Sequence, residues 1–415
     1  MMVLPKMFRV KQRFEGPSLR DIPGAVRETM RTLYLQDKLK PGQTVAVTAG
    51  SRGIANIDRI TRAVVDELKA LGLQPFIVPT MGSHGGATAE GQRTVLQHYG
   101  ITEASMGCPI RSSMEVVQIG EVKGIPVFCD ENAWGADYIA VVARIKPHTD
   151  FAGEIESGLF KMMAVGLGKQ QGAEHYHRAG HAYSYAEVFP LVGKKVMETA
   201  RILFGLGIVE NGYEETAKVR ALLPKDFEEG EKALLREAKA WMARLPFDVL
   251  DLLIVDDLGK NISGAGMDTN VIGRPFVQKV LDRPKIRRIF VRDITPESEG
   301  NAVGIGMADV TTRRLVEKIN YQAMYMNAIT SGVPEGAKIP MTFDTDREAI
   351  QVALGMIGLT PPERARVVRI KTTLHLTEMD VSEALLPEVK VHERLTAVTQ
   401  PAPLAFDAGG NLPPF

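Results

Sequence analysis

The chain has 415 residues, and its 50 lysines and arginines balance its 50 aspartates and glutamates. A formal net charge of zero leaves no overall field to attract nucleic acid or an anionic membrane surface, so we predict neither partner. The length favours two domains, and the 45% hydrophobic and 24% charged content is that of an ordinary globular protein.

Targeting and redox features indicate a cytoplasmic protein. The first residues are interrupted by Pro5 and by charges, which is unlike a signal peptide. No uninterrupted apolar run of about 18 residues is present to span a membrane. The two cysteines, Cys108 and Cys129, lack the spacing of a metal or disulfide framework and fit a reducing compartment.

The first half of the chain alternates strands and helices, which is typical of parallel α/β units. We predict helices over 19–39, 58–71, 89–99 and 185–200, strands over 44–48, 76–78, 138–143 and 206–210, and a hairpin over 116–130. Glycine-rich turns at 49–53 and 81–88 follow the first two strands. They match neither the dinucleotide nor the P-loop consensus, so they either hold a phosphate or serve only as turns.

The second half begins after a charged stretch, 225–244, that predicts a surface helix connecting two domains. We therefore expect two α/β domains, residues 1–245 and residues 246–415. Beyond the connector we predict strands at 247–255, 286–291, 367–370 and 374–376, a polar loop at 256–270, a helix from about 311 and an extended tail over 400–415.

A dense group of chemically active side chains lies between residues 144 and 177. His148 follows the carboxyl end of the strand at 138–143, where open α/β sheets bind ligands. Lys161 has apolar neighbours on both sides, and burial of that kind would lower its pKa and free a nucleophilic amine. The alternative is a snorkelling surface lysine beside solvated histidines, His175 and His177.

The motif KPH-x2-FAG followed by SGLFK resembles the cofactor-attachment segment of the nickel-dependent lactate racemase family, PH-x-FAGFSGG-x-K. The resemblance implies that Lys161 covalently carries a nickel-pincer nucleotide, a pyridinium bis-thiocarboxylic acid mononucleotide with nickel. It makes His148 a catalytic histidine. The family's nickel ligand follows the lysine by sixteen positions, which corresponds to His177, with His175 as the competitor. Here extra residues, EIE, separate the glycine from the SGLFK segment.

Two further family motifs have counterparts in the glycine-rich turns. The family's SD-x-TR turn corresponds to residues 48–52, which makes Arg52 the substrate-binding and catalytic arginine, although Ala49 replaces the aspartate. The family's G-x-HR corresponds to Gly82, Ser83 and His84. The resemblance implies that His84 is the second catalytic histidine and that Gly82 and Ser83 contact the cofactor.

The substrate-binding motif of the second domain is only partly present. The family's DIN-x2-Q-x2-K resembles Asp268-Thr-Asn270, but Gly273 and Phe276 stand where the glutamine and lysine would be. We predict that Arg274 supplies the missing cation and that Asn261 contacts the substrate. Ser263 and Asp268 add polar groups to the same region. Since glycine leaves more room than glutamine, we expect a bulkier or more polar substrate than lactate.

These features predict a racemase or epimerase of a 2-hydroxy acid that works by reversible hydride transfer. The first domain would bind the cofactor and the second would close over the substrate, with the active site in the cleft between them. Enzymes of cofactor synthesis would be transient partners. Two alternatives remain, a zinc metallohydrolase using His84, His148 and His177, and a non-catalytic homologue that binds a nucleotide or metal.

Overall fold

The computed structural model describes residues 2–51, 53–276 and 280–415. They form two compact units, one of residues 16–242 and the other of the segment ending at residue 15 together with residues 243–415. Each unit contains helices and a sheet with parallel strands. The predicted α/β fold with two domains is therefore confirmed. The cleft between them stays a prediction.

The beginning of the chain belongs to the second unit, which corrects the prediction that residues 1–245 form one domain. The first strand, β1 (Lys6–Gln12), pairs antiparallel with a strand near the other end of the chain, and Arg9 lies opposite Asp380 in this pairing. Phe8 and Val10 of β1 are buried in the core of the second unit. A pairing across more than 360 residues leaves no local trace in the sequence.

The unit of residues 16–242 is built on a five-stranded sheet and a separate hairpin. Its strands are β2 (Thr44–Ala49), β3 (Gln74–Pro79), β4 (Val116–Val122), β5 (Ile125–Asp130), β6 (Tyr138–Arg144), β7 (Ile202–Glu210) and β8 (Thr216–Leu222). Its helices are α1 (Ile22–Arg31), α2 (Ile57–Ala70), α3 (Ala89–His98), α4 (Glu103–Met106), α5 (Glu131–Trp134), α6 (Leu159–Lys161), α7 (Lys169–Ala182), α8 (Tyr185–Thr199) and α9 (Phe227–Trp241).

The strand order in this sheet is β3-β2-β6-β7-β8, and all neighbours except β7 and β8 are parallel. The strand that follows β2, β3, therefore lies on one side of β2 in the sheet, and the later strand β6 lies on the other side of β2. Loops that leave the carboxyl ends of β2 and β6 diverge at such a switch point and form the usual ligand site of open α/β sheets. The loops carrying His84 and His148 both begin at this edge.

Local chemistry explains where these elements end. Helix α1 is shorter than the predicted 19–39, because Tyr34 adopts a left-handed conformation and only a 3₁₀ turn follows. The predicted hairpin forms as β4 and β5, joined by Lys123 and Gly124, both with positive φ. Thr88 caps α3 by accepting a hydrogen bond from the N–H of Gly91, as its position before the helix indicates.

The second unit contains a nine-stranded mixed sheet. Eight of its strands follow the order β12-β11-β10-β9-β13-β14-β1-β15, and the ninth strand, β16, also pairs with β1. Its further strands are β9 (Val249–Leu258), β10 (Lys285–Ile294), β11 (Val310–Thr312), β12 (Met341–Phe343), β13 (Val367–Ile370), β14 (Glu378–Ser382), β15 (Leu395–Ala397) and β16 (Ala402–Pro403). Its helices are α10 (Thr269–Ile272), α11 (Arg313–Val316), α12 (Tyr321–Ser331), α13 (Asp346–Gly355) and α14 (Leu386–Val391).

One predicted element of the second unit forms close to its expected position, and one does not form. Thr311 lies in the buried strand β11, which pairs between β10 and β12, and the predicted helix begins two residues later as α11. Residues 374–376 form a turn, since the hydroxyl of Thr372 accepts the N–H groups of Leu374 and His375. Among the described residues, no helix combines the length and apolar character needed to cross a membrane.

Candidate functional site

The structure brings His148 and Lys161 into direct contact. The Nε2 atom of His148 lies 2.5 Å from the Nζ atom of Lys161. Both side chains are half-buried, and the imidazole packs against Phe151 with ring centroids 4.4 Å apart. The central feature of this site is an amine beside an imidazole. The pair lies at the carboxyl ends of the parallel strands, near the switch point between β2 and β6.

The hydrogen bonds around His148 restrict the tautomer of its imidazole. The backbone N–H of Asp150 donates to Nδ1 of His148 at 3.0 Å, so Nδ1 is the acceptor nitrogen of the ring. The proton of a neutral imidazole then lies on Nε2, and the contact with Lys161 requires a lone pair on Nζ. A neutral imidazole in this tautomer favours the uncharged amine, which is the nucleophilic form of lysine.

Lys161 lies at the junction of two kinds of helix. It ends α6, and residues Met162–Gly166 continue as a π-helix, with the N–H of Leu167 donating to the carbonyl of Met162 at 3.0 Å. The flanking Leu159 and Phe160 are fully buried, as their apolar character indicates. Single π-turns inside helices are frequent at functional sites because they displace one side chain from the regular helical direction.

A carboxyl group that the sequence did not single out supports the Lys161 turn, which is the short helix α6 that ends at Lys161. Glu231 of α9 is fully buried, and its Oε2 accepts the N–H groups of Leu159 at 2.7 Å and Phe160 at 3.2 Å. A Cβ on Gly158 would come within 2.3 Å of its Oε1, so only glycine allows this approach. The predicted helix within 225–244 forms as α9, and one of its faces is buried.

We expect Glu231→Gln to change how stability depends on pH. Burial raises the pKa of Glu231 to about 8, although the two backbone N–H groups lower it. The folded state therefore keeps a proton that the unfolded chain, with a glutamate pKa of about 4.3, has lost. Wild-type stability should fall as pH rises from about 4.3 toward about 8, by up to about 1.4 kcal/mol per pH unit from this group.

The measurement is denaturant unfolding of both proteins across this pH range. Other titrating groups cancel in the difference between the two curves, so the wild-type curve should descend relative to Glu231→Gln. Glu237→Gln on the same helix is the control, because Glu237 pairs with Lys218 in a half-exposed position. Its curve should run parallel to wild type. Parallel curves for Glu231→Gln as well would show that Glu231 is ionised in the folded protein.

A second buried carboxylate holds the loop of His148. Glu156 is 1% exposed, and it accepts the N–H of His148 at 2.6 Å and the N–H of Gly153 at 3.1 Å. Lys239, also from α9, neutralises it with a 2.6 Å ion pair. Glu156 lies in the EIE residues that depart from the family motif, so these extra residues shape the loop around the histidine.

The structure separates the two candidate metal-binding histidines on α7. The Nδ1 atom of His175 bonds to the carbonyl of Gln171, and its ring packs near Phe128. His177 packs edge-on against Tyr185 and lies close enough to Lys161 for the lysine charge to affect its pKa. Because residues two apart on a helix point in very different directions, only one of them can accompany Lys161, and that one is His177.

The environment of His177 suits a metal ligand. Burial, with smaller effects of Lys161 and His181, lowers its pKa to about 4, so the imidazole is neutral at physiological pH. Its Nδ1 is buried and has no hydrogen-bond partner within the described part of the chain. A neutral imidazole with an unused nitrogen is the form that binds transition metals.

The turn after β3 places the other predicted residues at the same edge of the sheet. Gly82 is buried, and Ser83 and His84 are half-buried. The Nδ1 atom of His84 is hydrogen-bonded to the hydroxyl of Ser51, in the turn after β2. Ser51 was not predicted, although it directly precedes Arg52. Arg52 itself lies outside the described residues.

A buried polar network fixes the turn that carries His84. The side-chain amide of Gln92 donates to the carbonyl of Gly82 at 2.9 Å and to that of His84 at 3.3 Å. The Nζ atom of Lys169 donates to the amide oxygen of Gln92 at 3.3 Å and forms a 3.0 Å ion pair with Asp130. Gln92, Lys169 and Asp130 are all fully buried, so this network holds the position of the turn.

In the second unit, the residues predicted to bind substrate make internal contacts. The guanidinium of Arg274 pairs with Asp309 at 2.8 Å and also donates to the carbonyls of Met307, Ile286 and Arg287. These bonds use both terminal nitrogens to join α10 to its sheet. They indicate a structural role for Arg274, and its contact with substrate stays a prediction.

The other polar groups of this region have partners as well. Asp268 caps α10 and accepts the side-chain amide of Asn270, and Ser263 accepts the N–H of Ala265 within its loop. Asn261 is exposed and accepts a hydrogen bond from Thr295. These bonds order the loop between β9 and α10.

The expectation that Gly273 leaves room for a larger substrate is wrong. Gly273 has a φ of +66° at the end of α10, and a Cβ there would lie 1.9 Å from the carbonyl oxygen of Pro284. The space beside this glycine is thus filled by the backbone. The local turn requires glycine, and any glutamine would displace the chain.

The three-histidine zinc site is not formed. In residues 2–51, 53–276 and 280–415, no group of three or more histidine, cysteine, aspartate or glutamate side chains is arranged to hold a metal ion. Each candidate histidine instead has a different local partner, namely Ser51 for His84, Lys161 for His148 and Tyr185 for His177. The geometry gives no support to the metallohydrolase alternative.

Comparison with solved structures identifies a shared fold. The chain is similar to the lactate racemase apoprotein from Thermoanaerobacterium thermosaccharolyticum, with a TM-score of 0.56 and 14% sequence identity over 89% of this chain and 98% of that chain. No family model and no curated protein sequence matches the chain. The fold that the sequence resemblance implies is therefore confirmed over nearly the whole of both chains.

Proposed function

We propose that this chain is a racemase or epimerase of a 2-hydroxy acid and that it carries a nickel-pincer nucleotide on Lys161. The observation that supports this most directly is the contact between the Lys161 amine and His148, with His177 close by. The sequence motif and the shared fold support the same function independently. A cytoplasmic location accords with this proposal.

The residues present fit the proposed cofactor. Lys161 offers an amine whose contact with a neutral imidazole favours the uncharged form that acylation at Nζ requires. His177 offers a neutral imidazole with a buried, unused nitrogen, as nickel ligation requires. When bound, the nucleotide supplies the group that takes hydride from the α-carbon and returns it. Gly82 and Ser83 would line the cofactor from the turn after β3.

His148 and His84 would move the hydroxyl proton. A racemase must accept a proton from the hydroxyl of either enantiomer, which requires a base on each face of the α-carbon. The two histidines follow β6 and β3, on opposite sides of β2, and each can serve as base in one direction and acid in the other. Asp150, with its carboxylate 3.8 Å from Nδ1 of His148, is placed to stabilise the imidazolium.

Attachment at Lys161 would also prepare His148 for substrate. In the free chain the His148 Nε2–H is directed at the amine of Lys161. Once Nζ is acylated, its lone pair is delocalised and no longer accepts this proton. His148 would then be released to face the substrate hydroxyl. Arg52 would hold the substrate carboxylate through paired hydrogen bonds.

Intact-mass and peptide analysis tests this proposal. Protein produced together with the cofactor-synthesis enzymes should carry a covalent mass increase on the peptide containing Lys161. Two other lysines close by in sequence, Lys146 and Lys169, should stay unmodified, and buried Lys169 is already engaged by Asp130. An adduct on either of them instead of Lys161 would contradict the assignment.

We expect lactate to be a poor substrate. The glutamine and lysine that bind lactate in the family are replaced by Gly273 and Phe276, so two polar contacts to a small acid are lost. Each missing hydrogen bond to a charged group costs about 1.5–3 kcal/mol, so lactate turnover should be lower by about 10²-fold or more than that of the best substrate. A panel of enantiopure 2-hydroxy acids measures this. Lactate as the best substrate would disprove it.

A further inference from the structure

Helix α9 supports, at two points, the segments that carry the amine–imidazole pair. Glu231 accepts the first two N–H groups of the turn that carries Lys161. Eight residues later, about 12 Å along the helix, Lys239 pairs with Glu156, which in turn accepts the N–H of His148. One helix thus supports both partners of the pair.

Glu231 is unusual because it is fully buried and belongs to no ion pair in the described part of the chain. Its Oε1 is buried without a hydrogen-bond partner, while Oε2 accepts the N–H groups of Leu159 and Phe160. A buried carboxyl with one unsatisfied oxygen reduces stability, so a contribution to folding alone gives no reason for it. The position of Glu231 beside the α6 turn indicates another role. Its hydrogen bonds fix the backbone that carries Lys161, and this offsets the loss of stability.

We propose that Glu231 is a positioning residue that holds the α6 turn so that the Lys161 amine meets His148 in its reactive form. The inference rests on the proposed function of Lys161 as the attachment site. Leu159 and Phe160 are the first two residues of α6, and their N–H groups have no partner inside so short a helix. Glu231 supplies that partner from a distant helix, as a capping residue does locally.

The approach of Glu231 depends on Gly158. The Oε1 atom would lie 2.3 Å from a Cβ at this position, so any side chain on residue 158 must push the carboxyl away. The structure thus offers two independent ways to displace the same contact. One removes the carboxyl group, and the other adds a methyl group on the opposite side.

The test uses the full-length chain without cofactor, near neutral pH. The protein is treated with a small activated ester. The acylation rate of Lys161 is measured on the peptide that contains it and is divided by the acylation rate of exposed Lys225. Amide hydrogen exchange at Leu159 and Phe160 is measured in the same samples. The variants are Glu231→Leu, Glu231→Gln and Gly158→Ala. The control is Leu234→Ala, which opens a cavity on the buried face of α9 but leaves Glu231 and Gly158 unchanged.

Glu231→Leu should speed exchange at residues 159 and 160 by about tenfold. It should slow Lys161 acylation by about fivefold or more, because an amine released from His148 takes up a proton. Gly158→Ala should also speed this exchange and slow Lys161 acylation. If Glu231→Leu does not fold, Gly158→Ala alone tests the proposal. Glu231→Gln keeps an acceptor oxygen and should stay within about twofold of wild type. Leu234→Ala should lose stability but not Lys161 reactivity.

Wild-type acylation of Lys161 in Glu231→Leu or Gly158→Ala would overturn the inference, as would an equal loss in Leu234→Ala. A Glu231→Gln variant as impaired as Glu231→Leu would also overturn it. These results do not depend on cofactor loading. If Lys161 never acquires a nucleotide but these rates change as expected, the proposed function fails while the positioning role stands.

Discussion

Lys161→Arg should abolish both the covalent adduct and racemisation, with a loss of activity of at least about 10⁴-fold. Arginine keeps the approximate length of the side chain, but its guanidinium is always protonated and cannot be acylated. In the proposed mechanism the attached nucleotide would be the hydride acceptor, so its loss should leave no residual pathway through the histidines. The measurements are intact mass under denaturing conditions and loss of optical rotation of the best substrate.

The matched control is Lys194→Arg, a surface lysine of α8 that pairs with Glu228. This variant should keep the adduct and activity within about twofold, since an exposed ion pair contributes little. Racemisation by Lys161→Arg at a rate near that of wild type would show that the reaction needs no covalent cofactor. It would also refute the assignment of Lys161.

The strands and turns around the candidate site could be predicted from sequence because each arises from a short pattern. The strand at 138–143 and the turns after β2 and β3 follow from hydrophobic runs punctuated by glycine. The contact of His148 with Lys161 could be expected because only thirteen positions separate them, in one loop and turn. The choice between His175 and His177 could not be made, since it depends on the rotation of α7 about its axis.

Long-range contacts were not predictable, and they account for the main corrections. The pairing of β1 with β14 and the ion pair of Arg274 with Asp309 each join segments that carry no shared pattern. Glu231 is the clearest case. In sequence it is one of several glutamates on a charged helix, and only the fold shows that it faces the Lys161 turn. Buried carboxyl groups that support a site from a distant helix leave no motif.

His148→Asn and His84→Asn should each reduce racemisation by about 10²–10⁴-fold, but they should leave different halves of the reaction intact. Each variant retains the base on one face, so one enantiomer can still lose its hydroxyl proton and give up hydride once. The measurement is 2-oxo acid released in a single turnover from each pure enantiomer. Yields are normalised to chains that carry the Lys161 adduct, because His148 also contacts that amine.

The two variants should prefer opposite enantiomers, because their histidines follow strands on opposite sides of β2. His175→Asn is the control, since its Nδ1 bonds to the carbonyl of Gln171 and its ring lies near Phe128, away from the pair. It should racemise within about threefold of wild type, and it should prefer neither enantiomer. The same preference in both base variants would mean that one histidine serves both faces. In that case His84 would act only to position Ser51 and the turn that precedes Arg52.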